Sequence, residues 1–185
     1  MAALIYTGIA SLDGYTADAA GEFDWAMPDE ELHAFVNDLE RPIGTYLYGR
    51  RMYETMAAWE TMDTEGEPHV MADFAALWRA ADKIVYSSTV TEAWTAKTRI
   101  EPAFDPTAVQ RMKDESAHDL SIGGPGLASA ALRAGLVDEC GLFLNPIAVG
   151  EGTPFFPRDL RVRLQLVGEH RFASGVVYLR YRVAS

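Results

Sequence analysis

Leu120-Ser121-Ile122-Gly123-Gly124-Pro125-Gly126-Leu127 carries a short apolar run through three glycines and straight into a helix-like segment that ends near Gly135. A strand that passes through glycine into a helix start brings backbone N–H groups close to an anion without interference from Cβ atoms. The helix dipole favours negative charge at the same place. Gly-Gly-Pro-Gly also makes an ordinary tight turn, so the choice between phosphate cradle and plain turn depends on what surrounds it.

Outward from this stretch the pattern recurs. Leu4-Ile5-Tyr6-Thr7-Gly8-Ile9-Ala10 is apolar and β-branched enough for a buried strand, and Ser11-Leu12-Asp13-Gly14 supplies a turn after it. Pro28 with Asp29, Glu30 and Glu31 marks a helix start, and Leu32, Phe35, Val36 and Leu39 follow at helical spacing. Thr45-Tyr46-Leu47-Tyr48 predicts a strand that again runs through glycine, Gly49-Arg50-Arg51, into a helix with Met52, Tyr53, Met56 and Ala57 on one side. A helix bearing Phe74, Leu77, Trp78 and Ala81 precedes a strand over 83–86 that ends at Ser87-Ser88. Asp105-Pro106 reads as an N-cap and first helical residue, with Val109 and Met112 inward.

Beyond the glycine-rich turn come a helix, a buried strand around Cys140 and a loop over 146–157. Val162, Leu164, Leu166 and then Val177, Leu179, Tyr181, Val183 alternate about Ser174-Gly175, a hairpin pattern. Strand then helix, about four times over and closed by a hairpin, predicts one domain over residues 1–185. Its architecture is an α/β sandwich with a mostly parallel central sheet and an antiparallel C-terminal hairpin.

Composition narrows the function. The formal net charge of −11 repels a phosphate backbone and the arginines are scattered, so no nucleic-acid partner is expected. No apolar run approaches a membrane span and no signal segment opens the chain, which gives a cytoplasmic expectation and no membrane partner. The one cysteine, Cys140, lies in an apolar strand and reads as an inert core thiol. His33, His69, His118 and His170 lack metal-ligand spacing, so no metal is expected. The P-loop pattern, the complete Gly-x-Gly-x-x-Gly fingerprint and Gly-x-Ser-x-Gly are all missing.

Ligands of open α/β sheets bind beyond the carboxyl ends of the strands, and four such ends here carry suggestive groups. They are Ser11-Leu12-Asp13-Gly14, Gly49-Arg50-Arg51, Ser87-Ser88 and Gly123-Gly124-Pro125-Gly126. The arginines suit phosphates, the serines suit ribose or phosphate oxygens, and the glycines suit a pyrophosphate. Each has a bland counterpart in a surface arginine, a polar strand end or a turn. Their recurrence at one kind of position favours a nucleotide site.

The stretches 45–54 and 84–88, Ile122-Gly123-Gly124-Pro125-Gly126, Asp138-Glu139, Pro146 and Gly150-Glu151-Gly152-Thr153-Pro154-Phe155-Phe156 together resemble the dihydrofolate-reductase-like superfamily. The branch resembled is that of the reductase domain of the bifunctional riboflavin-biosynthesis deaminase/reductase, here standing alone, and the likeness covers nearly the whole chain. It implies a three-layer α/β/α sandwich of dihydrofolate reductase type and an NADPH-dependent oxidoreductase that passes hydride to a small pterin- or aminopyrimidine-like heterocycle. It also implies a homodimer paired near the C-terminal sheet edge.

Carried over residue by residue, the cofactor would be held by Gly49, Arg50, Arg51, Ser87, Ser88, Gly123, Gly124, Pro125, Gly126 and Leu127, with an arginine on the 2′-phosphate. The peptide between Gly123 and Gly124 would be cis. Asp13 is the first candidate for proton relay. The place of the pterin-binding carboxylate falls on His33 or, with a small shift, on Glu30 or Glu31. Asn145 is a further pocket candidate, and Tyr15, Trp25 and Tyr53 would line an aromatic slot.

Tyr15 stands where the riboflavin enzymes usually have lysine, and Met52-Tyr53-Glu54-Thr55-Met56-Ala57-Ala58-Trp59 replaces their Asp-x-Pro-x-Leu segment and its basic residue. The reduction of 5-amino-6-(5-phosphoribosylamino)uracil is therefore held as an alternative. A nucleotide- or flavin-binding protein without turnover, and a structural module whose glycines are only turns, are the others.

Overall fold

Side chains alternate along the first strand: Leu4, Tyr6 and Ala10 are buried in one apolar cluster while Ile5 and Ile9 pack into others. A strand covered on both faces must lie inside a three-layer structure. The computed structural model describes residues 1–184. In chain order its elements are β1 (Leu4–Ser11), β2 (Tyr15–Asp18), α1 (Glu30–Glu40), β3 (Ile43–Gly49), α2 (Arg50–Met56), α3 (Ala58–Thr61), α4 (His69–Ala80), β4 (Asp82–Tyr86), β5 (Thr98–Glu101), α5 (Pro106–Glu115), β6 (Asp119–Gly123), α6 (Pro125–Arg133), β7 (Glu139–Asn145), β8 (Gly152–Pro154), β9 (Arg163–Arg171) and β10 (Val177–Ala184). A turn of 3-10 helix (Asp24–Ala26) precedes α1.

Eight strands form one sheet in the order β5-β4-β3-β6-β1-β7-β10-β9. The first six are parallel, and β10 pairs antiparallel with both β7 and β9. This is the mostly parallel sheet with an antiparallel C-terminal hairpin that the sequence predicts. Among the strands, two pieces were not anticipated. The edge strand β5 is four residues long with little apolar pattern, and β2 with β8 forms a small second sheet. Gly152 makes that second pairing possible: its φ is +149°, and a Cβ there would meet the Ala17 carbonyl at 2.0 Å.

One face of the main sheet packs Leu4, Leu47, Leu120, Ile122 and Cys140 against Val109 of α5 and Ala128, Ala131 and Leu132 of α6. Phe155 closes that layer by stacking on Tyr6, ring centroids 4.2 Å apart. On the other face Tyr46, Tyr48 and Val85 meet Tyr53 of α2 and Phe74 and Trp78 of α4. The Trp78 Nε1–H donates to the Tyr48 hydroxyl at 3.2 Å, so the indole is buried without an unmet donor. Leu32, Phe35 and Val36 of α1 cover Phe143 and Tyr178 beside them. Each large apolar side chain so buried contributes about 1.5–3 kcal/mol, which is why the amphipathic helices flank the sheet.

The amino ends of the strands are tied by a buried cation. Lys113 Nζ donates to the Leu136 carbonyl and to Asp138 Oδ2, both at 2.7 Å, and Asp138 Oδ2 also accepts from the Leu4 N–H at 2.7 Å. Ala2 N–H donates to the Lys113 carbonyl and Val183 N–H to that of Asp138, so both chain ends fasten to this edge. Lys113→Ala, which leaves a buried carbonyl unpaired, is expected to cost about 2–4 kcal/mol. Urea unfolding of the variant against wild type checks this; a loss below about 0.5 kcal/mol would show the tie to be dispensable.

Candidate active site

In the parallel strands all carboxyl ends point to one edge. Register places Tyr48 beside Gly123 and Val85, Gly49 beside Tyr86, and Ser11 beside Asn145. The four suggestive turns of the sequence therefore stand in a row on the edge β4-β3-β6-β1. With strands about 4.8 Å apart, the row runs about 14 Å from the end of β4 to the end of β1.

At its centre α2 and α6 begin side by side. Gly49 caps α2 and Gly124 caps α6, and neither helix start has a side chain on its free N–H groups. A Cβ on Gly123 would lie 2.9 Å from the Tyr48 ring and one on Gly124 3.5 Å from Met52 Cβ, while Gly126 faces open space. Gly124 has φ +92°, in the left-handed region that favours glycine. The Gly123–Gly124 peptide is trans, as are all peptides among the described residues. This corrects the cis geometry expected from the resemblance: the positive φ at Gly124 turns the chain into Pro125 at the first position of α6 without it.

Arg50 Nε pairs with Glu54 at 2.7 Å, and its Nη1 donates to Thr89 Oγ1 at 3.3 Å. The ion pair is exposed and therefore weak, so the guanidinium can change partners. Arg51 is exposed and makes no ion pair among the described residues. Ser87 Oγ accepts from the N–H groups of Thr89 and Val90 and holds the turn after β4, whereas Ser88 is exposed. The structure thus brings together Gly49, Arg50, Arg51, Ser87, Ser88 and the 123–127 turn. A row of uncapped helix starts, glycines that leave the backbone accessible, and two arginines fits the diphosphate and phosphate groups of a dinucleotide.

The β1 and β7 end is different. Ser11 Oγ–H donates to Asp13 Oδ1 at 2.6 Å, and the N–H groups of Val149 and Gly150 donate to the same carboxylate at 3.1 and 2.7 Å. The Ser11 hydroxyl, then the backbone donors, hold the Asp13 carboxyl below its ordinary value. An acid so engaged is a loop tie and a poor proton donor, against the relay role read from the sequence. Asn145 Nδ2 donates to the carbonyls of Phe143 and Ala10, so its amide locks the strand ends.

Tyr53 does not line a slot. It is fully buried, stacks on Trp94 and ties its hydroxyl to Thr95 and the Trp94 N–H. Tyr15 turns toward Arg158, which donates to its hydroxyl at 3.4 Å. Glu30 is exposed in the first turn of α1, where its charge complements the helix dipole, and Glu31 accepts from the Ala173 N–H.

Two groups remain that suit a polar heterocycle. Trp25 Nε1 is buried without a partner. His33 is 9% exposed, sits between the rings of Trp59 and Phe74 and makes no side-chain hydrogen bond among the described residues. Burial holds its imidazole below the ordinary value, partly opposed by Asp73, so the neutral ring offers one donor and one acceptor. Sequence reasoning missed Thr89, which orients Arg50; only the fold brings that loop to α2.

A family model described as the RibD C-terminal domain matches residues 2–178. The chain belongs to the RibD C-terminal domain family. Among curated proteins, the uncharacterized protein YyaP of Bacillus subtilis (strain 168) is similar to this RibD C-terminal domain, 31% identical over 180 residues that span 92% of this chain and 89% of YyaP. A crystal structure of a candidate riboflavin biosynthesis protein from Shewanella sp. PV-4 superposes with TM-score 0.77 at 20% identity over 99% of both chains. Dihydrofolate reductase from Enterococcus faecalis, solved in complex with NADP(H), superposes with TM-score 0.63 at 14% identity over 99% of this chain and 97% of that one. The fold is thus the α/β sandwich of dihydrofolate reductase type.

The tie at Asp13 has a pH signature. Its folded-state value lies below the unfolded one, so its contribution is present above the ordinary carboxylate range and is lost as pH falls through and below that range. The protection factors of the Val149 and Gly150 amides, each exchange rate taken relative to the intrinsic rate at the same pH, should be high at neutral pH, fall on acidification, and be low throughout in Asp13→Ala. Equal protection in the variant would remove the assigned tie.

Proposed function

We propose that this chain is an NADPH-dependent reductase of a small planar heterocycle. The observation that carries the reading is the paired start of α2 and α6, Tyr48 beside Gly123, with Arg50 and Arg51 at one helix start and Gly124 at the other. The family supports reductase chemistry.

In this reading the N–H groups of Gly126 and Leu127, after Gly123, Gly124 and Pro125, hold the diphosphate. Gly49 admits the backbone to it, and Arg50, Arg51 and Ser88 hold the 2′-phosphate of the adenosine half, with Ser87 shaping the turn. Bound NADPH supplies the hydride. His33 and the Trp25 N–H hold the heterocycle in plane, and Asp13 and Asn145 keep the loop and strand ends beneath it in position. The residues thereby supply orientation and exclusion of water.

Arg50→Ala/Arg51→Ala is expected to weaken NADPH binding at least about tenfold, since charge-assisted hydrogen bonds contribute about 1.5–3 kcal/mol each, and to leave NADH binding within about threefold. Tryptophan-fluorescence titration and thermal shift with each nucleotide check this. No protection by either nucleotide at millimolar concentration would sink the reading. Binding without oxidation by any planar acceptor would favour a nucleotide-binding protein without turnover.

The same proposal includes a second copy of the chain as partner and a cytoplasmic setting. Strand β9 is one of the two edges of the sheet and exposes Leu166 and Val167. A groove of about 470 Å³ lined by Leu160, Val162 and Val183 lies beside it. An open apolar edge of this kind is normally covered. Sedimentation equilibrium should show a dimer that Leu166→Lys/Val167→Lys dissociates; a wild-type monomer at 50 µM would reject this part.

A further inference from the structure

The substrate end of the site is built from a segment of one charge sign. The first forty residues hold nine Asp and Glu and not one Lys or Arg. Asp24, Asp29, Glu30 and Glu31 are exposed around the start of α1, and Asp13 is exposed in the turn after β1. The Leu12 N–H donates to the Ile147 carbonyl at 2.7 Å, Glu31 accepts from Ala173 N–H, and Gly175 packs near Pro146. These ties gather the turns after β1, β7 and β9 about the start of α1. Exposed apolar side chains stand among the acids: Leu12 at 69%, Met27 at 78% and Ile147 at 36%.

Arg50, Arg51, Arg79 and Arg41 are placed elsewhere. Arg50 and Arg51 open α2 on β3, two strands from β1, and Arg50 leans away toward Thr89. Arg79 spends its guanidinium on the carbonyls of Trp59, Glu60 and Met62. Arg41 is clamped by Asp38 and Asp73 at the far end of α1. Arg158 lies over the Tyr15 ring at 5.8 Å, and Arg171 is exposed at the end of β9, two residues before the Ala173 N–H that donates to Glu31.

Independent of the acids, two polar groups in the same segment lack partners: the buried Trp25 Nε1 and the nine-tenths-buried ring of His33. They supply N–H donors and one acceptor nitrogen: a neutral planar heterocycle with both donor and acceptor atoms can satisfy all of them, whereas an ionised phosphate or carboxylate can meet only the donors.

Resting on the reductase reading, we infer that this site takes an uncharged or cationic planar substrate and discriminates against one that carries a phosphate or carboxylate tail. Each exposed carboxylate near the mouth opposes a negative tail by Coulomb repulsion that is modest in water and screened within about 8 Å at physiological salt. Several acting together are expected to give about a tenfold preference at low salt.

The test pairs probes of like ring and unlike charge: 6-methyl-7,8-dihydropterin against 7,8-dihydrofolate, and 1,4-naphthoquinone against its 2-sulfonate. Equilibrium binding to the protein saturated with NADP+ and the rate of NADPH oxidation are both measured, at 20 mM and 500 mM NaCl. The expected result is about tenfold tighter binding and higher kcat/KM for the neutral member of each pair. The gap should shrink to about threefold at high salt and close in Asp24→Lys/Glu30→Lys.

Equal or better use of the anionic members overturns the inference, and its loss in Arg158→Gln would then name Arg158 as the anion's partner. A gap unchanged by salt and by the lysine variant also overturns it, because the selectivity would then not be electrostatic. Nucleotide protection of the protein, read in the same samples, keeps a failure here separate from a failure of the reductase reading.

Discussion

The parallel pairing of β3 with β6, Tyr48 beside Gly123, is the constraint on which the rest depends. The Tyr48 ring leaves no room for a Cβ at Gly123, and its hydroxyl accepts from buried Trp78, so one tyrosine joins the edge turn to the core beneath α4. Because the two strands run in the same direction, the helices that follow them start at the same edge. Their unpaired N–H groups add rather than cancel. An antiparallel neighbour at this point would put one helix start at the opposite edge and leave no row for an extended anion.

Around that centre the two ends of the row differ in construction. On the β4 side the polar groups are loosely held, with Arg50 in a weak exposed ion pair, Arg51 exposed without one among the described residues, and Ser88 exposed, as suits a charged ligand that must compete with water. On the β1 side several side chains are already tied internally. Asp13 clamps a loop, Asn145 bonds strand carbonyls and Tyr53 is fully enclosed. Rigid support with few free groups is what a site needs to hold one small ring in one pose. His33 and Trp25 are conspicuous as buried donors without a partner among the described residues.

The periodicity of the sequence determined most of the fold. Leu32, Phe35 and Val36 at helical spacing, Asp105 before Pro106, and the alternation from Val177 to Val183 each express a local rule that the tertiary structure obeys. β5 and the β2–β8 pair escaped because their pairing partners, and not their own side chains, make them strands. The glycine turns were legible as a group for the same reason that they function: conformational freedom at Gly124 and close approach at Gly123 are properties of residue type. Individual roles were less legible. Asp13 looks like an acid near a reacting centre until the backbone of residues 149 and 150, far away in sequence, arrives to bind it. Tyr53 looks like a slot wall until Trp94 and Thr95 cover it. Roles set by long-range hydrogen bonds have no short-range signature.

The fastening of both chain ends around Lys113 and Asp138 has a consequence for how such a domain can be used. Residues 2 and 183 are tied to the amino edge of the parallel strands, and the row of turns lies on the carboxyl edge, a full strand length away. A partner domain, tag or surface linkage joined at either terminus would leave the turns facing solvent. The fold is therefore as well suited to work as a module in a longer polypeptide as on its own.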